Sequence, residues 1–195
     1  MSAASPAAPA RKPSARDRLL AAADELFYAE GVHTVGIDRV IEKAGVAKAS
    51  LYSCFGNKDG LIQAYLEGRD MSRRERILTG LKGFATPRAK LLGVFDLLAE
   101  RVAAPEFRGC AFYNASAESE RGSVAEVAAT ANRDWARELF TDLSRNAGAH
   151  DPVALAAQLV VLYDGALAGS RMDGGTTPVT TARAIAATLV DAATA

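Results

Sequence analysis

Apolar residues recur along the chain at three- and four-residue spacing, broken by short runs of glycine, proline and small polar residues, and that period is helical from end to end. From Ala15, ARDRLLAAADELFYAEG places Leu19, Leu20, Ala23, Leu26 and Phe27 on one face and stops at Gly31, where a left-handed backbone is easiest. A shorter helix is predicted from about Ile37 to Ala44, with Ile37, Val40, Ile41 and Ala44 inward and Gly45 at its end. A third, from about Lys48 to Cys54, turns Leu51 and Phe55 inward and leaves Lys48, Ser50, Tyr52 and Ser53 outside. Asn57 caps a long fourth helix, with Asp59 favourable in its first turn, reaching to about Gly80.

Thr86-Pro87, a capping residue and a first-turn proline, opens a further helix, and Asp151-Pro152 and Thr177-Pro178 start two more. GCAFYNASAE is a short helix, and the segment from Ser123 to Gly148 a long one with Val124, Val127, Ala131, Trp135, Leu139 and Leu143 on one side. With about nine helices, no strand period and no internal repeat, the fold class is all-α.

The helix from Pro152 is apolar nearly all round. Leu155, Leu159, Leu162, Ala166 and Gly169 form one stripe; Val153, Ala157, Val160, Asp164 and Leu167 form another. It is almost long enough to span a bilayer, but Asp164 at mid-span is costly and no basic flank follows closely. No membrane role is expected; such a helix is buried on both sides, by its own body and by a partner subunit. Together with Ala182, Ile185 and Leu189 of the last helix, the first stripe is the expected interface of a four-helix homodimer bundle.

Composition narrows the function. The 195 residues, 49% of them hydrophobic, suffice for one sizeable core or for a small module joined to a larger one. Formal net charge is zero, so any nucleic-acid contact is local. Cys54 and Cys110 lie far apart, which argues against zinc and against a disulfide scaffold, and for a reducing cytoplasm. No metal or cofactor is expected. Residues 1–14, rich in Ala, Pro and Ser, have no signal-peptide core and are expected to form a disordered arm. A cysteine-dependent enzyme would need Cys110 beside His33 or His150, but neither a base nor an oxyanion site has a recognisable frame. Not an enzyme is the reading. A thiol-based redox-sensing regulator, using Cys54 or Cys110, is the alternative.

Two short helices joined through Ala44-Gly45-Val46 have the geometry of a helix-turn-helix, whose second helix can enter a major groove. Lys48 and Lys58 offer charge to phosphates, and Ser50, Tyr52 and Ser53 offer hydrogen bonds. GVHTVGIDRVIEKAGVAKASLYSCFGNKDGL resembles the DNA-binding domain of the tetracycline-repressor (TetR) family of bacterial transcriptional regulators. The matching positions are Gly31, Thr34, Ile37, Val40, Ala44-Gly45-Val46, Lys48, Ser50-Leu51-Tyr52, Phe55, Lys58, Asp59 and Leu61. Departures are Ala47 for the usual capping hydroxyl, Ala49 for glycine and Cys54 for histidine.

The resemblance implies a three-helix head, residues 15–58, on a ligand-binding and dimerisation body, residues 59–195. It implies phosphate contacts from Tyr52 and Lys58, a backbone contact from Thr34, and base-edge contacts from Lys48, Ser50 and Ser53, with Arg39 and Ala49 as further candidates on the same surface. It further implies a homodimeric repressor, bound to a double-stranded palindromic operator and released by a small-molecule effector. Phe84, Phe95, Phe107, Phe112 and Trp135 lie on the helices that line the family's effector cavity, with Cys110, Asn114 and Asp164 as its polar contacts. Aromatics beside few ionisable groups lead to the expectation of a largely apolar effector.

Overall fold

The computed structural model describes residues 12–117 and 119–195. Apart from Lys12, Pro13 and Ser14, the expected N-terminal arm lies outside the described residues. Among them the chain forms nine α-helices and no strand: α1 (Ala15–Glu30), α2 (Ile37–Ala44), α3 (Lys48–Phe55), α4 (Lys58–Gly80), α5 (Pro87–Ala103), α6 (Ala111–Ala117), α7 (Val124–Asn146), α8 (Pro152–Asp173) and α9 (Thr177–Thr194). A turn of 3-10 helix, Leu81–Gly83, follows α4.

Local chemistry explains the helix ends. Ser14 and Asp17 form a reciprocal capping box on α1, with Asp17 N–H donating to Ser14 Oγ at 3.1 Å and Ser14 N–H to Asp17 Oδ2 at 3.0 Å. Asn57, Thr86, Ser123 and Asp151 cap α4, α5, α7 and α8 with side-chain oxygens. Ala47 can offer α3 no such bond. Between α2 and α3, Gly45 is left-handed at φ 61°, where a side chain would be strained. Arg18 Nη1 donates to its carbonyl at 3.1 Å, fixing that turn onto α1.

Buried side chains form two clusters. Leu19, Phe27, Val35, Val40 and Leu51 centre the head, and Phe95, Phe140, Leu159 and Tyr163 centre the body. The sequence places the boundary at residue 58, but packing divides further along α4. Leu61, Ile62, Tyr65 and Leu66 belong to the head cluster, and Ile77 to the body. Ala111, Phe112 and Ala115 of α6 and Ala125 of α7 also pack into the head cluster, so the head rests on a socket built from both ends of the chain's middle.

The predicted face of α7 is offset. Ala125, Asn132, Ala136, Phe140, Leu143 and Ser144 are the buried residues, whereas Val127 is 61% exposed. Hydrophobic periodicity counts Asn132 as outward, yet its side-chain amide is accommodated inside by donating to Asp70 Oδ1 at 2.8 Å. α8 has the length and composition to cross a membrane; one side of it is taken up by the body core through Leu155, Leu159, Tyr163 and Ala166.

Candidate functional site

α2 and α3 are held from within by Val40, Ala44 and Leu51, each buried in the head. That anchoring turns Lys48, Ala49, Tyr52 and Ser53 of α3 to the exterior, with Ser50 partly exposed. Thr34 and Arg39 are exposed on the approach to α2 and on α2 itself. Lys58, at the start of α4, donates to the His33 carbonyl at 3.4 Å and so stands beside Thr34. Ser53 Oγ donates to the Ser50 carbonyl at 3.2 Å.

Three of the exposed cations here have exposed acidic partners. Lys48 pairs with Asp38 at 2.8 Å, Lys43 with Glu25 at 2.7 Å, and Arg39 makes a two-pronged contact with Glu30. The hydrogen bonds and charges of Asp38 and Glu30 raise the pKa values of Lys48 and Arg39 above their ordinary ones. Exposed pairs of this kind contribute little to stability because solvent screens both partners, so a phosphate oxygen can replace the carboxylate at little cost.

A cavity of about 120 Å³ lies in the body where α1, α4, α5, α6 and α8 converge. Of the expected ligand residues, Phe107, Cys110 and Phe112 line it. Phe95 is fully buried among Phe140 and Tyr163, at ring distances of 6.0 and 6.1 Å, and is part of the body core. Phe84 lies over Gly93, where a β-carbon would come within 2.7 Å of its ring. Asn114 is exposed and donates to the Arg108 carbonyl at 2.9 Å. Asp164 pairs with Arg133; burial raises its pKa, against the lowering effect of that guanidinium. Trp135 sits behind the cavity wall, beneath Arg73 and Arg74 at 5.0 and 5.1 Å.

The expectation of few ionisable groups does not describe this cavity. Arg69, Arg73, Arg76 and Arg101 line it, and among the described residues no carboxylate does. A signal was present: Arg69, Arg73 and Arg76 stand four and three residues apart and therefore on one face of α4. Arg69 grips Asp24 with two bonds of 2.5 and 2.9 Å and stacks on Tyr28 at 3.8 Å. Burial and the neighbouring guanidiniums lower the pKa of Arg76, whose Nη1 donates to the Leu97 carbonyl at 3.0 Å.

Tyr28 joins the cavity to the head. Its hydroxyl accepts from Arg108 N–H at 2.9 Å and from Arg101 Nη2 at 3.2 Å, and donates to the Gly109 carbonyl at 3.0 Å. A second tie runs from His33 Nε2 to Ser119 Oγ at 2.8 Å.

On α8 and α9 the expected interface residues divide by depth. Leu155, Leu159, Ala166 and Ala182 are buried in the subunit's own core and are closed to any partner. Leu162, Gly169 and Leu189 are partly buried, with Gly169 against Pro178 of α9, and Ile185 is 46% exposed. The outward apolar face is instead Val153, Ala157, Val161, Ala168 and Met172, continued by Ile185. Two equally apolar stripes carry no information about which one faces in.

Among the described residues, no group of three His, Cys, Asp or Glu side chains could hold a metal ion. Cys54 and Cys110 are free thiols, both partly buried.

Residues 19–65 match the profile of bacterial regulatory proteins of the tetR family. The HTH-type transcriptional activator FasR of Mycolicibacterium smegmatis is 42% identical over 52 residues, 27% of this chain and 24% of that protein. The HTH-type transcriptional regulator SrpR of Pseudomonas putida is 39% identical over 54 residues, 28% of this chain and 25% of that protein. The chain thus matches about a quarter of the length of these curated relatives. Likeness over the whole length comes from solved structures. SCO4454, a TetR-family transcriptional regulator from Streptomyces coelicolor, superposes with a TM-score of 0.88 at 34% identity, over 93% of this chain and 96% of that one. A putative TetR transcriptional regulator from Streptomyces avermitilis gives 0.78 at 32%, over 92% and 98%. A helix-turn-helix anchored by Leu51 and a body of matching helices are therefore parts of one shared architecture, and the chain belongs to the TetR family of DNA-binding transcriptional regulators.

Proposed function

We propose that the protein is a cytoplasmic, homodimeric repressor that holds a palindromic operator through α3 of each subunit and leaves it when a small molecule with an apolar body enters the cavity beneath Tyr28. Residues 15–58 supply the DNA contacts, and residues 59–195 the effector site and the dimer. The observation that carries this reading is the exposure of Lys48, Ala49, Tyr52 and Ser53 on a helix whose inner face is locked by Leu51. Tyr52 and Lys58 meet phosphates; Lys48, Ser50 and Ser53 meet base edges; Thr34 and Arg39 flank them on the backbone.

Pairing two subunits through the outward apolar face of α8 and α9 sets the two α3 helices for successive major grooves, about 34 Å apart. Release requires only that the effector bind the DNA-incompetent arrangement better, by about 1–3 kcal/mol.

Selection from a random duplex pool at low salt tests the reading. A two-fold symmetric site is expected, with affinity falling steeply as salt rises. Lys58→Ala is expected to weaken every sequence alike, and Lys48→Ala to relax base preference by about 1–3 kcal/mol at one position. Recovery of no preferred sequence would refute it.

A further inference from the structure

We infer that the cavity takes an organic anion: a small monocarboxylic acid whose charged end meets Arg73 and Arg76 and whose apolar end meets Leu98, Phe107 and Phe112. This rests on reading the cavity as the effector site.

The four guanidiniums are not equally satisfied. Arg69 and Arg101 are paired with Asp24 and Glu106, carboxylates that, with Glu100, line an adjoining open recess sharing Arg69, Ser72, Arg76 and Arg101 with the cavity. Arg76 has a carbonyl partner, Leu97, and no paired carboxylate. Arg73 lies over the rings of Trp135 and Tyr163, at 5.0 and 5.6 Å, and its Nη1 is buried without a hydrogen bond. Asp164, a carboxylate within the influence of Arg73, is engaged by Arg133.

Four guanidiniums line this cavity and no carboxylate does among the described residues, and an anion placed among them supplies the missing counter-charge. The planar fork of arginine suits a carboxylate, whose two oxygens accept in parallel. The same cavity also offers Leu98, Phe107, Phe112 and Leu167, which no inorganic ion would use. A cavity of about 120 Å³ has room for a short acyl chain or a single ring. Such a molecule would rest against Tyr28, the residue that ties α1 to the 108–109 turn.

Trp135 is the only tryptophan and lies under Arg73, so its fluorescence reports occupancy. The full chain is titrated with benzoate, phenylacetate and hexanoate, with the matched amides, and with inorganic phosphate, while release of the selected operator is followed separately. At least one acid is expected to bind about tenfold or more tightly than its amide and to release DNA, with phosphate inactive in both assays. Arg73→Met should bring acid and amide to equal affinity while leaving operator binding without ligand unchanged; Arg73→Lys should keep part of the preference. Equal affinity for acid and amide in the unaltered protein, a comparison that needs no variant, overturns the inference. So does an acid preference that survives in Arg73→Met, or tight binding by phosphate alone. Amides that move Trp135 and release the operator while acids do neither would leave the effector reading standing and remove only the anion. Silence from every probe in both assays would count against both.

Discussion

Head and body use their cations in opposite ways. On the head, Lys43, Lys48 and Arg39 stand in solvent, each beside a carboxylate that is itself largely solvated. In the body, Arg69, Arg73, Arg76 and Arg101 converge on one small cavity, and Arg73 keeps a buried Nη1 without a hydrogen bond. The first arrangement is exchangeable, because water screens both partners and a DNA phosphate can displace the acid. The second is held in place, because a desolvated guanidinium cannot lose a partner cheaply. The proposed operator surface, which has to exchange partners, and the proposed effector chamber, which has to recognise one molecule, call for these two kinds of pairing.

The contrast is tested most severely where the body exposes apolar rather than charged residues. Val161→Glu places a carboxylate on the outward face of α8; if a second subunit covers that face, burying it unpaired is expected to cost about 3–5 kcal/mol of dimer stability. Sedimentation should then show monomers at concentrations where the parent is dimeric. An undiminished dimer would place the interface elsewhere.

Between head and body, Asp24→Ala strips the bidentate partner from Arg69, whose side chain is 22% exposed against 50% for Asp24. Thermal or urea unfolding should register a loss of about 2–3 kcal/mol. A loss below that of an exposed pair would erase the distinction drawn between the two cation sets.

Tyr28→Phe keeps the ring under Arg69 but leaves Arg108 N–H and the Gly109 carbonyl without their partner. A destabilisation of about 1–2 kcal/mol is expected, together with operator binding that no longer responds to effector. A variant that is destabilised yet responds normally would show the hydroxyl to be structural only.

The smallest effect is expected on the head. Asp38→Ala frees Lys48 and should change stability by less than about 0.5 kcal/mol. Operator affinity should rise severalfold at low salt, and the gain should vanish at high salt. Reduced affinity would mean that Asp38 orients Lys48 rather than restrains it.

The head was legible in the sequence because its information is local. Gly45 turns the chain, Leu51 faces in, and the outer residues of α3 follow from helical geometry within a few positions. The body was less so. α8 carries apolar residues on every side, and nothing in its own sequence says that Leu159 faces the core while Val161 faces out; α9 and α7 decide it. The cavity illustrates a second limit. Phe107, Cys110 and Phe112 could be picked out as pocket residues, but the α4 arginines that share their cavity read in sequence as the solvated face of a helix. Only the approach of α1 and α5 to α4 brings Tyr28 and Arg101 to the same chamber.

The way α4 and α6 share the head's packing also governs how this molecule could be re-engineered. A chimera that exchanges DNA-reading modules at residue 58 would seat the new module on Leu61, Ile62, Tyr65 and Leu66 from one parent and on Phe112 and Ala115 from the same parent, against foreign side chains throughout. A graft cut beyond Leu66, with the residues of α6 that enter the head cluster carried along, keeps that socket whole. The modular unit of this regulator is thus discontinuous in sequence, and operator specificity can be transplanted only together with a fragment of the chain some fifty residues downstream.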